Sequence, residues 1–79
     1  MAVGVKLPEI SMGVTEATIV GWLKAVGDRV EAGEALVEVE TAKSTVEVES
    51  PASGTLIEIL VAPDDEVEVG AHIAKIRPD

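Results

Sequence analysis

Valine and glutamate alternate on either side of one lysine. Val37-Glu38-Val39-Glu40 precedes Thr41-Ala42-Lys43-Ser44-Thr45, and Val46-Glu47-Val48-Glu49 follows. Strict alternation of this kind reads as half-buried strand. Folding the two runs about the Ala42–Lys43 midpoint sets Val39 opposite Val46 and Val37 opposite Val48, with Glu38 and Glu47 on the other face. A one-residue slip would turn the valines to solvent, so burial of that face predicts Lys43 at the tip of the turn. Ala42-Lys43 is not a type I′ pair, and a type I turn in a slightly longer loop is expected.

The remaining pattern is also strand and turn. Residues 3–7 predict an edge strand ended by Pro8. Residues 8–15 read as a surface loop. Residues 16–23 read as a strand, with Gly21 marking a bulge or a close backbone approach. Turns are expected at 26–29 and 31–34, around the lone Val30. The hairpin strands are 35–40 and 45–49. A turn cluster at 50–54, a strand at 55–61, a turn at 62–65, the lone Val67, and a last strand at 71–76 complete the series. Gly27, Asp28, Gly33, Gly54 and Gly70 are assigned to turns. Residues 77–79 read as a strand end running into a linker. Nothing reads as a long helix, because candidate windows are often interrupted by glycine or proline and valine dominates them.

The second half repeats the first. A shift of 37 residues lays Thr18 on Thr55, Ala25 on Ala62, Asp28 on Asp65, Val30 on Val67 and Gly33 on Gly70. Trp22 falls on Ile59 and is expected in the core. Neither unit can bury a face alone, so two small sheets packed on each other are expected. The same shift carries Lys43 to position 80, which sets the lysine turn and the chain exit at opposite ends.

Composition adds limits. Seventy-nine residues predict one small domain, 1–79, whose core alone supplies about 3–5 kcal/mol. Cysteine is absent, which excludes disulfides and zinc–thiolate sites. The net charge of −9 disfavours phosphate backbones and hence nucleic acid. No apolar run reaches the ~18–20 residues of a membrane span. The N-terminus lacks the pattern of a signal or transit peptide, so Met1 reads as a native start and the cytoplasm as the location.

Lys43 is the candidate functional group. A lysine that forms a Schiff base needs desolvation or a cationic neighbour to lower its pKa. Lys43 instead sits among Glu38, Glu40, Glu47 and Glu49, which suits a modified lysine better than a catalyst. His72 is the sole histidine and reads as structural or surface. Asp64-Asp65-Glu66 lacks EF-hand spacing and reads as a solvated turn, with no metal expected. Met12-Gly13 is either a recognition element or a connection. No P-loop, dinucleotide fingerprint or paired acids appear, so no catalytic residue is assigned.

Lys6-Leu7-Pro8-Glu9-Ile10, Thr18-Ile19-Val20-x-Trp22-Leu23, Val26-Gly27-Asp28-x-Val30, Leu36 to Thr41, Lys43, Ser50-Pro51, Gly54 and Val67-x-Val69-Gly70 together resemble a lipoyl domain. The family is that of the acyltransferase (E2) component of 2-oxo acid dehydrogenase complexes. The resemblance implies an all-β fold: a flattened barrel or sandwich of two four-stranded antiparallel sheets with internal pseudo-two-fold symmetry. It implies a carrier rather than a catalyst, with lipoic acid in amide linkage on Lys43 from a lipoate ligase or lipoyl transferase. The implied partners are a thiamine diphosphate-dependent E1 that acylates the arm, the E2 core that passes the acyl group to coenzyme A, and the E3 flavoprotein that reoxidises the arm. It also implies a monomeric domain, cytoplasmic or in the mitochondrial matrix, whose recognition residues are Glu40, Thr41, Ala42, Ser44, Met12 and Gly13. The family commonly has Asp-Lys-Ala or Asp-Lys-Val at the tip, where this chain has Ala42-Lys43-Ser44, and the acyl substrate stays open. The alternatives are a biotinyl carrier, whose lysine is flanked by methionines, the longer H protein of glycine cleavage, and a non-carrier adaptor of the same shape.

Overall fold

The computed structural model describes residues 2–10 and 12–79. Met1, read above as the start, and Ser11, within the expected loop, lie outside the described residues. The described residues form eight strands: β1 (Val3–Lys6), β2 (Glu16–Trp22), β3 (Arg29–Val30), β4 (Ala35–Glu40), β5 (Thr45–Glu49), β6 (Gly54–Ile59), β7 (Glu66–Glu68) and β8 (His72–Pro78). They make two four-stranded antiparallel sheets, ordered β1-β8-β6-β3 and β5-β4-β2-β7. The expected pair of sheets is found, packed as a flattened sandwich rather than closed into a barrel.

The 37-residue shift is visible in the backbone. It carries β2, β3 and β4 onto β6, β7 and β8. The register Ile19 to Val39 and Trp22 to Val37 recurs as Leu56 to Ile76 and Ile59 to Ala74. Turn chemistry recurs as well. The Asp28 carboxylate accepts the Ala25 N–H at 2.8 Å, and the Asp65 carboxylate accepts the Ala62 N–H at 2.8 Å. The halves do more than stack. The short strand of each unit leaves its own sheet and pairs in the other: β3 lies against β6, and β7 against β2. Val30 and Val67 stand alone in the sequence because each is the single inward residue of an exchanged strand.

The core lies between the sheets and is almost wholly aliphatic. Leu7, Ile19, Val30, Leu36, Val37, Val39, Leu56, Ile73 and Ile76 are fully buried. Gly21 marks a bulge, since the β2–β4 register shifts between Ile19 and Gly21, and β6–β8 shifts at the equivalent place between Leu56 and Glu58. The extra residues, Val20 and Ile57, turn outward despite being apolar. Trp22 is at the margin of the core rather than inside it. Its indole must keep a polar partner, and its Nε1–H donates to the Val61 carbonyl at 3.0 Å.

Three details correct the sequence expectations. Gly54 is not a turn glycine. It is the buried first residue of β6, and a Cβ there would lie 2.1 Å from the Arg77 carbonyl oxygen. Its role is close approach of two strands, whereas Gly27, Gly33 and Gly70 do sit in turns at positive φ. The last strand, expected at 71–76, runs on through Pro78. Arg77 and Pro78 pair with Thr55 and Gly54, and the Asp79 N–H donates to the Ser53 carbonyl. The strand expected at 55–61 ends at Ile59, beyond which the chain turns across to meet Trp22.

Gly54→Ala is expected to lower stability by about 1–3 kcal/mol, because the clash is with backbone that cannot swing aside. Gly21→Ala, whose Cβ would meet nothing within 4 Å, should be neutral or stabilising by up to about 1 kcal/mol. Denaturant midpoints of the two variants check the contrast.

Candidate functional site

The β4–β5 hairpin has the register its valines require. Val39 pairs with Val46, Glu38 with Glu47, Val37 with Val48, and Glu40 with Thr45. Val37, Val39 and Val48 are buried and Val46 is half-buried against the core. The loop between the strands is therefore four residues, Thr41 to Ser44, and Lys43 is exposed within it. Near the far end the ladder shifts between Ala35 and Val37, which lets Leu36 and Val37 both face inward.

The tip is held by one hydroxyl. The Thr41 N–H donates to the Ser44 carbonyl at 2.8 Å and closes the turn. Thr41 Oγ1 donates to the same carbonyl at 3.0 Å, and accepts the N–H groups of Lys43 at 3.2 Å and Ser44 at 3.1 Å. No residue of the tip has positive φ, as expected for a loop without the Asn-Gly chemistry of a type I′ turn.

A groove of about 430 Å³ runs beside Lys43. One wall is the tip, from Glu40 to Lys43. The other is the run from Gly13 to Thr18, with Glu66 of β7 closing it. Of the expected recognition residues, Glu40, Thr41, Ala42 and Gly13 meet at this groove. Met12 is 88% exposed on the loop and is absent from its lining, and Ser44 stands exposed on the outer flank of the turn. Thr15, from the 8–15 loop that the family resemblance implicates in recognition, also lines the groove, and sequence reasoning missed Glu16 and Glu66. Glu66 arrives only through the strand exchange that puts β7 beside β2. The lone Val67 was its signal in the sequence.

The outer face of the sheet that carries the tip is acidic. Cross-strand partners there include Glu38 with Glu47 and Glu16 with Glu68, and Thr18 lies between Glu40 and Glu66. Among the described residues none of these glutamates has an ion-pair partner. The pairs present are Lys24–Glu34, Arg29–Glu31, Arg29–Asp79 and Lys75–Glu58. Lys43 likewise has none. The tip thus offers a primary amine, exposed and free of intramolecular partners, on an acidic sheet. The site suits covalent capture of a carboxyl group as an amide and contains no nucleophile–base pair for catalysis.

His72 is exposed on β8, with its ring over Gly4 of the neighbouring strand. Asp64 and Asp65 belong to the turn before β7, where Asp64 has φ of 74°. Among the described residues no helix is long and apolar enough to cross a membrane.

Opposed like charges in a cross-strand pair destabilise. Glu47→Lys, which places a cation opposite Glu38, should therefore raise stability by about 0.2–1 kcal/mol. The gain should shrink in thermal melts at high salt.

The family model described as biotin-requiring enzyme (Biotin_lipoyl) matches residues 3–76. The dihydrolipoyllysine-residue acetyltransferase component of the pyruvate dehydrogenase complex of Corynebacterium glutamicum is 55% identical over 75 residues, covering 95% of this chain and 11% of that protein. The dihydrolipoyllysine-residue succinyltransferase component of the 2-oxoglutarate dehydrogenase complex of Staphylococcus saprophyticus is 53% identical over 72 residues, covering 91% of this chain and 17% of that protein. The chain therefore spans less than a fifth of the length of either relative. Among solved structures, the lipoyl domain of the 2-oxoglutarate dehydrogenase complex from Azotobacter vinelandii superposes with a TM-score of 0.74 at 29% identity, covering 95% of each chain. The urea carboxylase of Kluyveromyces lactis superposes with a TM-score of 0.84 at 28% identity, covering 98% of this chain and 6% of that one.

Proposed function

This chain belongs to the biotin/lipoyl attachment family, and we propose that it is a lipoyl carrier domain of a 2-oxo acid dehydrogenase acyltransferase, with Lys43 as the attachment site. The observation that carries the reading is Lys43 itself: an exposed amine at the tip of a hairpin whose register the buried valines hold. The relatives, named for dihydrolipoyllysine, support lipoate over biotin. Ala42 and Ser44, where a biotinyl carrier has methionines, support the same choice.

The chain's own part in attachment is small and definite. Deprotonated Lys43 Nζ attacks the carbonyl carbon of an activated lipoyl donor. A C–N bond forms, the bond to the donor's leaving group breaks, and the nitrogen gives up its remaining extra proton to solvent. When bound, lipoic acid supplies a dithiolane that carries acyl groups and electron pairs between enzymes, chemistry that belongs to the cofactor. The protein contributes position and surface. Amide formation removes the one positive charge at the tip, so the modified end is presented on a uniformly acidic sheet. A tethered arm gives each site a high local concentration in place of diffusion.

The proposal includes the partners this role requires: an E1 that loads the arm, the E2 core, the E3 flavoprotein and a lipoate ligase or lipoyl transferase. It places a monomeric domain in the cytoplasm. The groove residue Gly13, the exposed Met12 and the tip residues Glu40, Thr41, Ala42 and Ser44 form the surface that these enzymes read.

A biotinyl carrier is the second reading, favoured by the description of the matching family model as biotin-requiring enzyme. Co-expression separates the two. With a lipoate ligase, intact mass should rise by one lipoyl group and Lys43→Arg should abolish the gain. A gain only with a biotin ligase would replace the proposal with the second reading, and no gain with either would remove both.

A further inference from the structure

The tip sequence Ala42-Lys43-Ser44 has poor turn chemistry. Of the residues that ordinarily hold a tight turn it contains only Ser44, with no glycine, proline, asparagine or aspartate. Three other tight turns among the described residues are fastened by one of their own side chains. Asp28 takes the Ala25 N–H, Asp65 takes the Ala62 N–H, and Glu34 takes the Glu31 N–H. At the tip the fastening comes from the first loop residue. A hydroxyl has one proton to give and two lone pairs to accept with, and Thr41 Oγ1 uses all three within the turn. One of the N–H groups it holds is that of Lys43 itself. The Thr41 side chain is half-buried at the head of the groove, so its own rotamer is restrained.

We propose that Thr41 is the positioning residue for Lys43, holding the lysine backbone in one conformation so that the amine reaches the active site of the enzyme that modifies it. This rests on Lys43 being the attachment site. The lysine side chain has four rotatable bonds, and a wandering Cα would add the whole tip to that freedom. Small misplacements of a reacting group cost rate steeply, on the order of a hundredfold for 1 Å. Thr41 touches no reacting atom; beyond its place on the surface that the enzymes read, it acts through the Lys43 and Ser44 amides. Those amides are exposed, so on loss of the hydroxyl water takes its place. The global fold, set by the valine face, is left standing.

The test compares wild type, Thr41→Val and Thr41→Ser in the 79-residue chain. Valine keeps the branched shape and strand preference while deleting every hydroxyl bond. Serine keeps the hydroxyl. Three readouts are taken: the denaturation midpoint, amide hydrogen exchange at Lys43 and Ser44, and the rate of lipoyl addition by a lipoate ligase, followed by intact mass. The expected result is an unchanged midpoint for Thr41→Val, with exchange at the two amides accelerated about tenfold or more. Its lipoylation kcat/KM should fall about tenfold or more, and Thr41→Ser should restore both. Lipoylation of Thr41→Val at the wild-type rate overturns the positioning role and leaves the attachment site intact. A fall in rate matched by a fall in midpoint, with the Lys43 and Ser44 amides unchanged, also overturns it. A wild type that accepts no lipoyl group overturns the attachment reading and the positioning role together.

Discussion

Four valines facing one another across a two-stranded ladder determine where this molecule can do anything. Val39 against Val46 and Val37 against Val48 admit one register, because the side-chain period of a strand is two and a slip by one residue exchanges the buried face for the solvated one. Once that register is set, the loop length and the residue at its tip follow. The proposed attachment chemistry is concentrated in that consequence. The rest of the fold supports it from behind, by closing a second sheet over the valines and burying them in an aliphatic core.

Much of this was legible in the sequence, because alternation, turn residues and repeat spacing are local signals. The hairpin strands at 35–40 and 45–49, the Lys43 tip, the two sheets and the bulge at Gly21 could all be read that way. What could not be read depends on contacts between distant segments. Glu66 reaches the groove because β7 crosses to the other sheet. Gly54 reads as a turn glycine until Arg77 is seen against it. Val20 and Ile57 look like core by type, and only the paired bulges turn them outward. Arg77-Pro78 lies past the strand read at 71–76 until its pairing with β6 is known. Thr41 was legible as a neighbour of the lysine, but the use its hydroxyl makes of three hydrogen bonds is a matter of geometry that composition does not carry.

The internal repeat keeps backbone and apolar positions while inverting charge at three strand positions. Under the 37-residue shift Glu38 becomes Lys75, Glu40 becomes Arg77 and Arg29 becomes Glu66. Two nearly identical sheets thus present opposite outer faces. One is a glutamate surface bearing Lys43. The other carries Lys6, Arg29, Lys75 and Arg77, partly balanced by Glu31, Glu58 and Asp79. A partner that met only the shape of the fold could bind it either way round. Charge removes that ambiguity, since oppositely charged faces orient an approaching molecule before contact.

The exchange of β3 and β7 has a mechanical consequence. Each half surrenders one strand to its twin, so neither sheet can peel away without dismantling the other. The halves are clasped like linked hands, and partial opening gains little because it costs nearly as much as complete unfolding. Such a body should behave as a single rigid bead under tension. The first and last strands, β1 and β8, are neighbours in one sheet, and the hairpin that bears Lys43 stands in the other, apart from a pull on either.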